Sequence, residues 1–379
     1  TPPPPPPAPH TQPPPPAPPP TRPHPPPTPP PPPPPDPFPT SPPRPEVPTH
    51  PGQPPPQHAA EDLAARAPHV EPLVRQARAV TDVFQVGDIK CNAEKIIKAS
   101  IEASQRGADL VVFPELALVG YPPEDLLFRR GFLRQVSEEF SRIQETLRES
   151  IADTGIIFGL PIEQQEGQDI PGHNDLFNAV VYLVNGVIEK TYFKQSLPNY
   201  SVFDEKRYFI AGNESAVIDV KGHKLGLLIC EDVWLPEVVK KSVEAGADAL
   251  MVMNASPFHV DKHEERIEVL KKNAALFDVP LMYLNMTGGQ DELVFDGDSL
   301  AINRAAGLVA RAKLFEPDTL EITFDGNDIS SPDAGEPYID SEGCTTEATI
   351  YKALVTGVRD FVRQNGFSGV IVGLSGGVD

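Results

Sequence analysis

Short, unbroken apolar runs that stop abruptly at polar residues constrain this chain most. LVVF (110–113), LGLLI (225–229), ALMVMN (249–254) and PLMYLN (280–285) are of strand length and lack the alternation of a sheet with one wet face. Runs of this kind fill strands covered on both sides. Between them lie stretches of helical spacing: Ile96, Ile97 and Ile101 after a capping Asn92, residues 130–150, Val238 to Ala245, and Glu264 to Phe277. Strands at 154–159 and 179–185, and a loop holding His173 and Asn174, complete an α/β pattern with short connections.

Reactive side chains sit where several runs end. In KLGLLICEDVWLPE the apolar run stops at Cys230, and in ADLVVFPELALVGYPPEDLL it gives way to Pro114 and Glu115. A third run, GVIEKTYFKQSLPNY, ends near Lys194. In open α/β layers strand ends carry side chains toward a ligand, and a sharp strand-to-helix turn exposes a nucleophile. Each residue also has a plainer role available. Cys230 serves as a small buried hydrophobe, Glu115 as a helix cap or a partner for Arg, and Lys194 as a solvated charge.

Together the three make a chemical set. A thiol attacks a carbonyl as thiolate, and at an unperturbed pKa near ~8.5 only a few per cent is ionised at neutral pH. Glu115 in an apolar pocket would take the proton and later return it. Lys194 would favour the thiolate and stabilise an oxyanion, with a backbone N–H after Cys230 as second donor. No histidine or metal is required.

FPELALVGYPPEDLL, YFKQSLPNYSVFDEKRYF, ICEDVW, NASPFH and GGQDELVFDG, in this order from about Val86 onward, resemble the glutamine-hydrolysing domain of the glutamine-dependent NAD synthetase family, within the nitrilase (carbon-nitrogen hydrolase) superfamily. The resemblance implies a four-layer α-β-β-α sandwich that forms homo-oligomers through its outer layers. It implies Glu115 as general base, Lys194 as oxyanion stabiliser, Cys230 as nucleophile and Glu205 as a second glutamate positioning the lysine. Glu205 alternatively pairs with Lys206 or Arg207. Tyr200, Ser256 and Lys262 are implied to bind the α-amino and α-carboxylate groups of glutamine, although Lys262 also suits a solvated surface. Trp234 either lines the pocket or belongs to the core.

The same resemblance divides the chain. Residues 86–318 are expected to form the amidohydrolase domain, 319–345 an acidic linker, and 346–379 the start of a Rossmann-like adenylating domain. Ile350, Ala353, Leu354, Gly357, Val358, Phe361 and Val362 have helical spacing, and GVIVGLSGGVD is expected to begin a strand and a phosphate loop. In that loop Gly373, Ser375, Gly376, Gly377 and Asp379 would meet ATP, with magnesium and deamido-NAD belonging to the complete enzyme. The hydrolase part itself needs no cofactor. Since the chain stops inside the loop, it is expected to be a fragment, weak in activity and unable to make NAD. A free-standing amidase of the same superfamily is the alternative, and a proline-rich adaptor carrying an inactive hydrolase fold is a third reading.

Residues 61–85 depart from the family pattern. An apolar strand is expected before the VGDI turn, but RQARAVTDVFQVGDI keeps only the end of that pattern, so the opening strand is expected to be lost or misread from a wrong frame or start. Residues 1–60 are another kind of polymer. Thirty-five of the chain's 49 prolines lie there with two Arg and two acidic residues, which predicts a disordered polyproline II tail. Its PxxP spacings arise trivially from the proline runs, although proline-binding domains remain candidate partners.

The net charge of −21 falls almost wholly outside this tail. An acidic domain without a basic stripe argues against nucleic acid or an anionic membrane as partner. The sequence holds no apolar stretch of about 18 residues and no signal-peptide core of about 7–15. Cys91, Cys230 and Cys344 are too few for a disulfide framework. A reducing, cytoplasmic setting is expected.

Overall fold

The structure, a computed structural model, describes residues 75–164, 176–332 and 345–373. The expected tail (1–60), residues 61–74, His173 and Asn174, residues 333–344 with Cys344, and Ser375, Gly376, Gly377 and Asp379 lie outside the described residues.

Five helices are described: α1 (Ile89–Gln105), α2 (Arg130–Ser150), α3 (Pro236–Glu244), α4 (Lys262–Phe277) and α5 (Thr346–Gln364). The strands are β1 (Arg75–Thr81), β2 (Leu110–Val112), β3 (Gly155–Glu163), β4 (Leu176–Val184), β5 (Val187–Phe193), β6 (Ala216–Val220), β7 (His223–Ile229), β8 (Ala249–Asn254), β9 (Leu281–Asn285), β10 (Thr287–Gln290), β11 (Leu293–Asp296), β12 (Leu300–Ile302), β13 (Leu308–Arg311), β14 (Asp318–Asp325) and β15 (Asp328–Ser330). One sheet runs β15-β14-β1-β2-β3-β4-β5, a second runs β13-β12-β9-β8-β7-β6, and β10-β11 form a separate hairpin. The centre of each sheet is parallel, β1 to β3 in one and β7 to β9 in the other.

Alternation along the strands builds the layers. Leu110, Val112, Ile157, Val180 and Tyr182 turn inward to a core shared with β6–β9 and, beyond them, with Val238, Val239, Leu270 and Ala274 of α3 and α4. Val111, Ile156, Phe158, Val181 and Leu183 turn outward onto Ile89, Ala93, Ile96 and Ile97 of α1 and Val136, Ile143 and Leu147 of α2. The order is therefore helices, sheet, sheet, helices. This is the four-layer α-β-β-α sandwich.

Several expectations are corrected. The opening strand is present: β1 pairs over its whole length with β14 and in parallel with β2. Its inner face is filled by Ala77 and Ala79, while Arg78 points the other way and pairs with Glu321 at 2.5 Å. Strands β14 and β15 likewise carry the sheet beyond the expected domain edge at 318, because β14 is the neighbour that completes β1. Asn92 does not cap α1. It is buried within the helix, where it accepts from Gln85 N–H (3.0 Å) and donates to the carbonyls of Gln85 and Leu118, and Asp88 caps instead by accepting from Cys91 N–H at 3.2 Å.

Helix α5 forms as its spacing predicts, capped by the Thr345 hydroxyl, which accepts from Ala348 N–H. It docks on the β10–β11 hairpin, where Asp360 accepts from Gly289 N–H at 2.9 Å and Gln364 donates to Gly289 O at 2.8 Å. After it the expected strand does not form among the described residues. Val370, Ile371, Val372 and Gly373 are exposed and join neither sheet, and a parallel strand needs neighbours to bury its faces.

Candidate active site

Cys230 follows the last residue of β7 and opens a single 3₁₀ turn, Cys230–Trp234. Its φ is +46°, a conformation disfavoured for any residue with a Cβ and held only where surroundings fix it. Lys194 follows β5, Glu115 lies just past β2, and Glu205 begins the short turn Glu205–Arg207. Strand ends from both sheets thus converge.

The Lys194 ammonium lies 2.7 Å from Glu115 Oε1 and 2.8 Å from Glu205 Oε1, and all three side chains are buried. Asn178 Nδ2 also donates to Glu115 Oε1 at 2.7 Å, while Ala255 N–H, at the end of β8, donates to Oε2 at 3.0 Å. Tyr121 donates its hydroxyl to Glu205 Oε1 at 2.8 Å. Gly159 makes this packing possible: a Cβ there would lie 2.2 Å from Leu116 N and 2.8 Å from Glu115 C.

Burial and pairing compete for these charges. Burial opposes the charge on Lys194, but Glu115 and Glu205 outweigh it and raise its pKa well above the usual lysine value. Burial pushes Glu205 up to about 7 despite the lysine. Burial, reinforced by Glu115, also pushes the Cys230 thiol well up; Lys194 pulls it down, as expected, without prevailing. The resting thiol is protonated. Its proton must leave as the sulfur attacks, which calls for a base in place.

Of the residues expected to bind glutamine, Tyr200 is 57 % exposed and its hydroxyl lies 3.0 Å from both carboxylate oxygens of Glu231. The Lys262 ammonium sits 4.0 Å from the centroid of the Trp234 ring and 3.2 Å from Glu265. Ser256 is buried deeper. Its N–H donates to Asn285 Oδ1 at 2.9 Å, and its hydroxyl oxygen accepts from Arg266 Nη2 at 3.2 Å, Arg266 being paired with Asp296. Behind Glu205 is a cavity of ≈ 220 Å³, bordered by Tyr121, Phe203, Arg207 and Tyr208 but not by Cys230.

Sequence reasoning did not single out Tyr121, Asn178, Glu231, Asp232 or Arg266. Glu231 and Asp232 lie inside the ICEDVW motif, so a polar pair beside the thiol was visible there. Asn178 reaches Glu115 only because β4 pairs with β3, and its backbone carbonyl accepts from Lys194 N–H at 2.9 Å.

Comparison with known proteins places this geometry among relatives. A family model described as carbon-nitrogen hydrolase matches residues 74–331. A glutamine-dependent NAD(+) synthetase of Acinetobacter baylyi is 38 % identical over 78 % of this chain and 51 % of its own length. The solved structure of glutamine-dependent NAD+ synthetase from Acinetobacter baumannii, in complex with ADP, superimposes with a TM-score of 0.71 and 32 % identity, covering 78 % of this chain and 53 % of the other. A nitrilase-superfamily amidase from Nesterenkonia sp., one of whose structures shows the acetamide moiety of fluoroacetamide added covalently at the active-site cysteine, gives a TM-score of 0.57 and 25 % identity over 66 % of this chain and 90 % of its own. The chain spans about half the length of the curated relatives it matches.

Proposed function

The chain belongs to the carbon-nitrogen hydrolase family, and we propose that its sandwich releases ammonia from the side-chain amide of glutamine through a thioester on Cys230. The observation that carries this function is the buried Lys194 ammonium 2.7 Å from Glu115 and 2.8 Å from Glu205, beside a thiol at a left-handed turn.

Glu115 Oε1 already accepts from Lys194 and Asn178, whereas among the described residues Oε2 accepts from Ala255 N–H alone, so Oε2 receives the thiol proton. As it does, Sγ bonds to the amide carbon and the carbonyl electrons move onto oxygen. Lys194, with two of its three N–H groups on carboxylates, turns the third to this oxyanion, and a backbone N–H of the Cys230 turn supplies a second donor. The C–N bond then breaks and Glu115 returns the proton to nitrogen, which leaves as ammonia. Water repeats the sequence on the thioester: Glu115 takes its proton, the C–S bond breaks, and glutamate and the thiol are released.

Glu205 and Tyr121 hold the lysine in place. Tyr200 and Lys262, with Ser256 deeper in, contact the amino-acid end of glutamine, with the Glu231 carboxylate facing its ammonium. In a longer chain of the length of those relatives, the ammonia would serve an ATP- and magnesium-dependent amidation of deamido-NAD. Helix α5 then begins that second part, and the phosphate loop expected after it contacts ATP. The protein works in the cytoplasm as a homo-oligomer.

Purified chain is tested for ammonia release from glutamine and from small aliphatic amides, with mapping of the thiol labelled by a chloroketone analogue of glutamine. Release from glutamine and labelling at Cys230 are expected. Labelling at Cys91 or Cys344 would remove the assignment, and release from small amides alone would make the protein a free-standing amidase.

A further inference from the structure

Asp232 is wholly buried, and no step of the proposed reaction consumes it. Its Oδ2 accepts from Ile229 N–H at 3.0 Å and from the Tyr192 hydroxyl at 2.8 Å. Its Oδ1 accepts from Gln195 N–H at 3.1 Å and Ser196 N–H at 2.8 Å. One oxygen therefore holds the residue before the nucleophile, and the other holds the two residues after Lys194. Those segments end strands of different sheets, β7 and β5, which no strand ladder connects among the described residues.

Burying a carboxylate is costly, and none of the described ion pairs gives Asp232 a lysine or arginine partner within 4 Å. Four neutral donors hold it instead. On the Cys230 side its grip on Ile229 N–H closes the turn in which the nucleophile adopts φ +46°. On the other side it fixes the loop just after the oxyanion-stabilising lysine.

We propose that Asp232 is the positioning residue that sets the separation of Cys230 from Lys194. This rests on the glutaminase function above. Asp232 itself touches no substrate; it keeps the developing oxyanion between the lysine and the backbone of the Cys230 turn. A carboxylate is needed because both oxygens must accept. In Asp232→Asn one oxygen becomes an NH2 group facing the donors it should receive.

Two labelling rates separate positioning from a purely structural role. The chloroketone analogue of glutamine carries a carbonyl and needs the Cys230–Lys194 geometry, whereas methyl methanethiosulfonate has no carbonyl and reads only access to the thiol. In the 379-residue chain, Asp232→Asn is expected to slow chloroketone labelling of Cys230 about 30-fold or more while changing thiosulfonate labelling by less than about 3-fold, and to lower kcat with KM within about 3-fold. Tyr192→Phe removes one of the four bonds and leaves the three backbone N–H donors in place. It is expected to slow chloroketone labelling about 3- to 10-fold with thiosulfonate labelling unchanged, and it decides the matter if Asp232→Asn does not fold. An unchanged ratio of the two rates in the folded variant would overturn the proposal. If unmodified protein is not labelled at Cys230 by the chloroketone, the glutaminase function fails and this inference falls with it; if it is labelled and the variants keep its ratio, only the inference fails.

Discussion

A lysine held between two carboxylates out of water is stable only as a set. Replacing Lys194 by Met leaves Glu115 and Glu205 facing each other without a cation, and breaking a buried pair in this way costs about 3–5 kcal/mol. Activity should fall about 10²-fold or more, since the oxyanion loses its charged donor, and Glu115→Gln should lose a similar factor by removing the base. Steady-state ammonia release beside a urea melt reads both effects; a Lys194→Met protein with normal kcat would refute the oxyanion role. Glu205 adds a pH signature. Its folded pKa of about 7 lies above the ordinary 4.5, so the folded state holds its proton more tightly. The resulting stabilisation is complete below about pH 4.5 and lost as pH rises through about 7, and the gap between those values corresponds to about 3 kcal/mol. Urea melts of wild type and Glu205→Gln should therefore show a difference that drifts by about that amount between pH 4.5 and 8. Parallel curves would mean that Glu205 titrates normally. Cys230, Glu115 and Lys194 were legible as single residues because each interrupts an apolar run. Their partners were not: Tyr121 and Asn178 act across distances that only the folded chain closes, and Asp232, visible beside the thiol, reaches Gln195 and Ser196 only in the folded chain.

At the scale of elements, legibility followed burial on both faces. The Leu225–Ile229 stretch of β7 and the whole of β8 and β9 are buried because layers cover them on either side, and their apolar runs showed them plainly in the sequence. Strand β1 hid because its inward face needs only Ala77 and Ala79, and Arg78 finds Glu321 on the neighbouring strand; a small, charged strand looks like linker until its partner is known. The terminal run at 369–373 misled in the opposite direction, apolar in sequence yet joined to no described sheet. Close approach between elements also ties the fold to the site. Gly159 of β3 passes under the Glu115–Leu116 peptide with no room for a methyl group. Gly159→Ala must move backbone rather than a flexible side chain, so a loss of about 1–3 kcal/mol is expected, together with reduced kcat as Glu115 shifts. Thermal melts and ammonia release check this; a variant with unchanged melting and rate would show that the carboxylate loop has slack.

Across the whole molecule, the seven-stranded sheet depends on β1. On one side β1 pairs antiparallel with β14 along seven residues, and on the other it pairs in parallel with β2, whose end leads to Glu115. Ala79 stands opposite Leu320 and Val112 at once. Proline there would remove an N–H from the interior of a central strand and leave a buried carbonyl unpaired, a cost of about 1–3 kcal/mol before the ladder itself opens. The damage would not stay local. With β1 displaced, β14 and β15 lose their only described connection to the rest of the sheet, and the inner core loses one wall where Ala77, Ala79, Leu320 and Ile322 lie. Against a typical folding stability of about 5–15 kcal/mol, such a change is a large fraction of the total. Ala79→Pro should therefore lower or abolish the cooperative transition seen by circular dichroism and eliminate ammonia release, although no reacting group has been altered. A variant melting near wild type with normal activity would mean that β1 is dispensable and that the hydrolase fold closes without it.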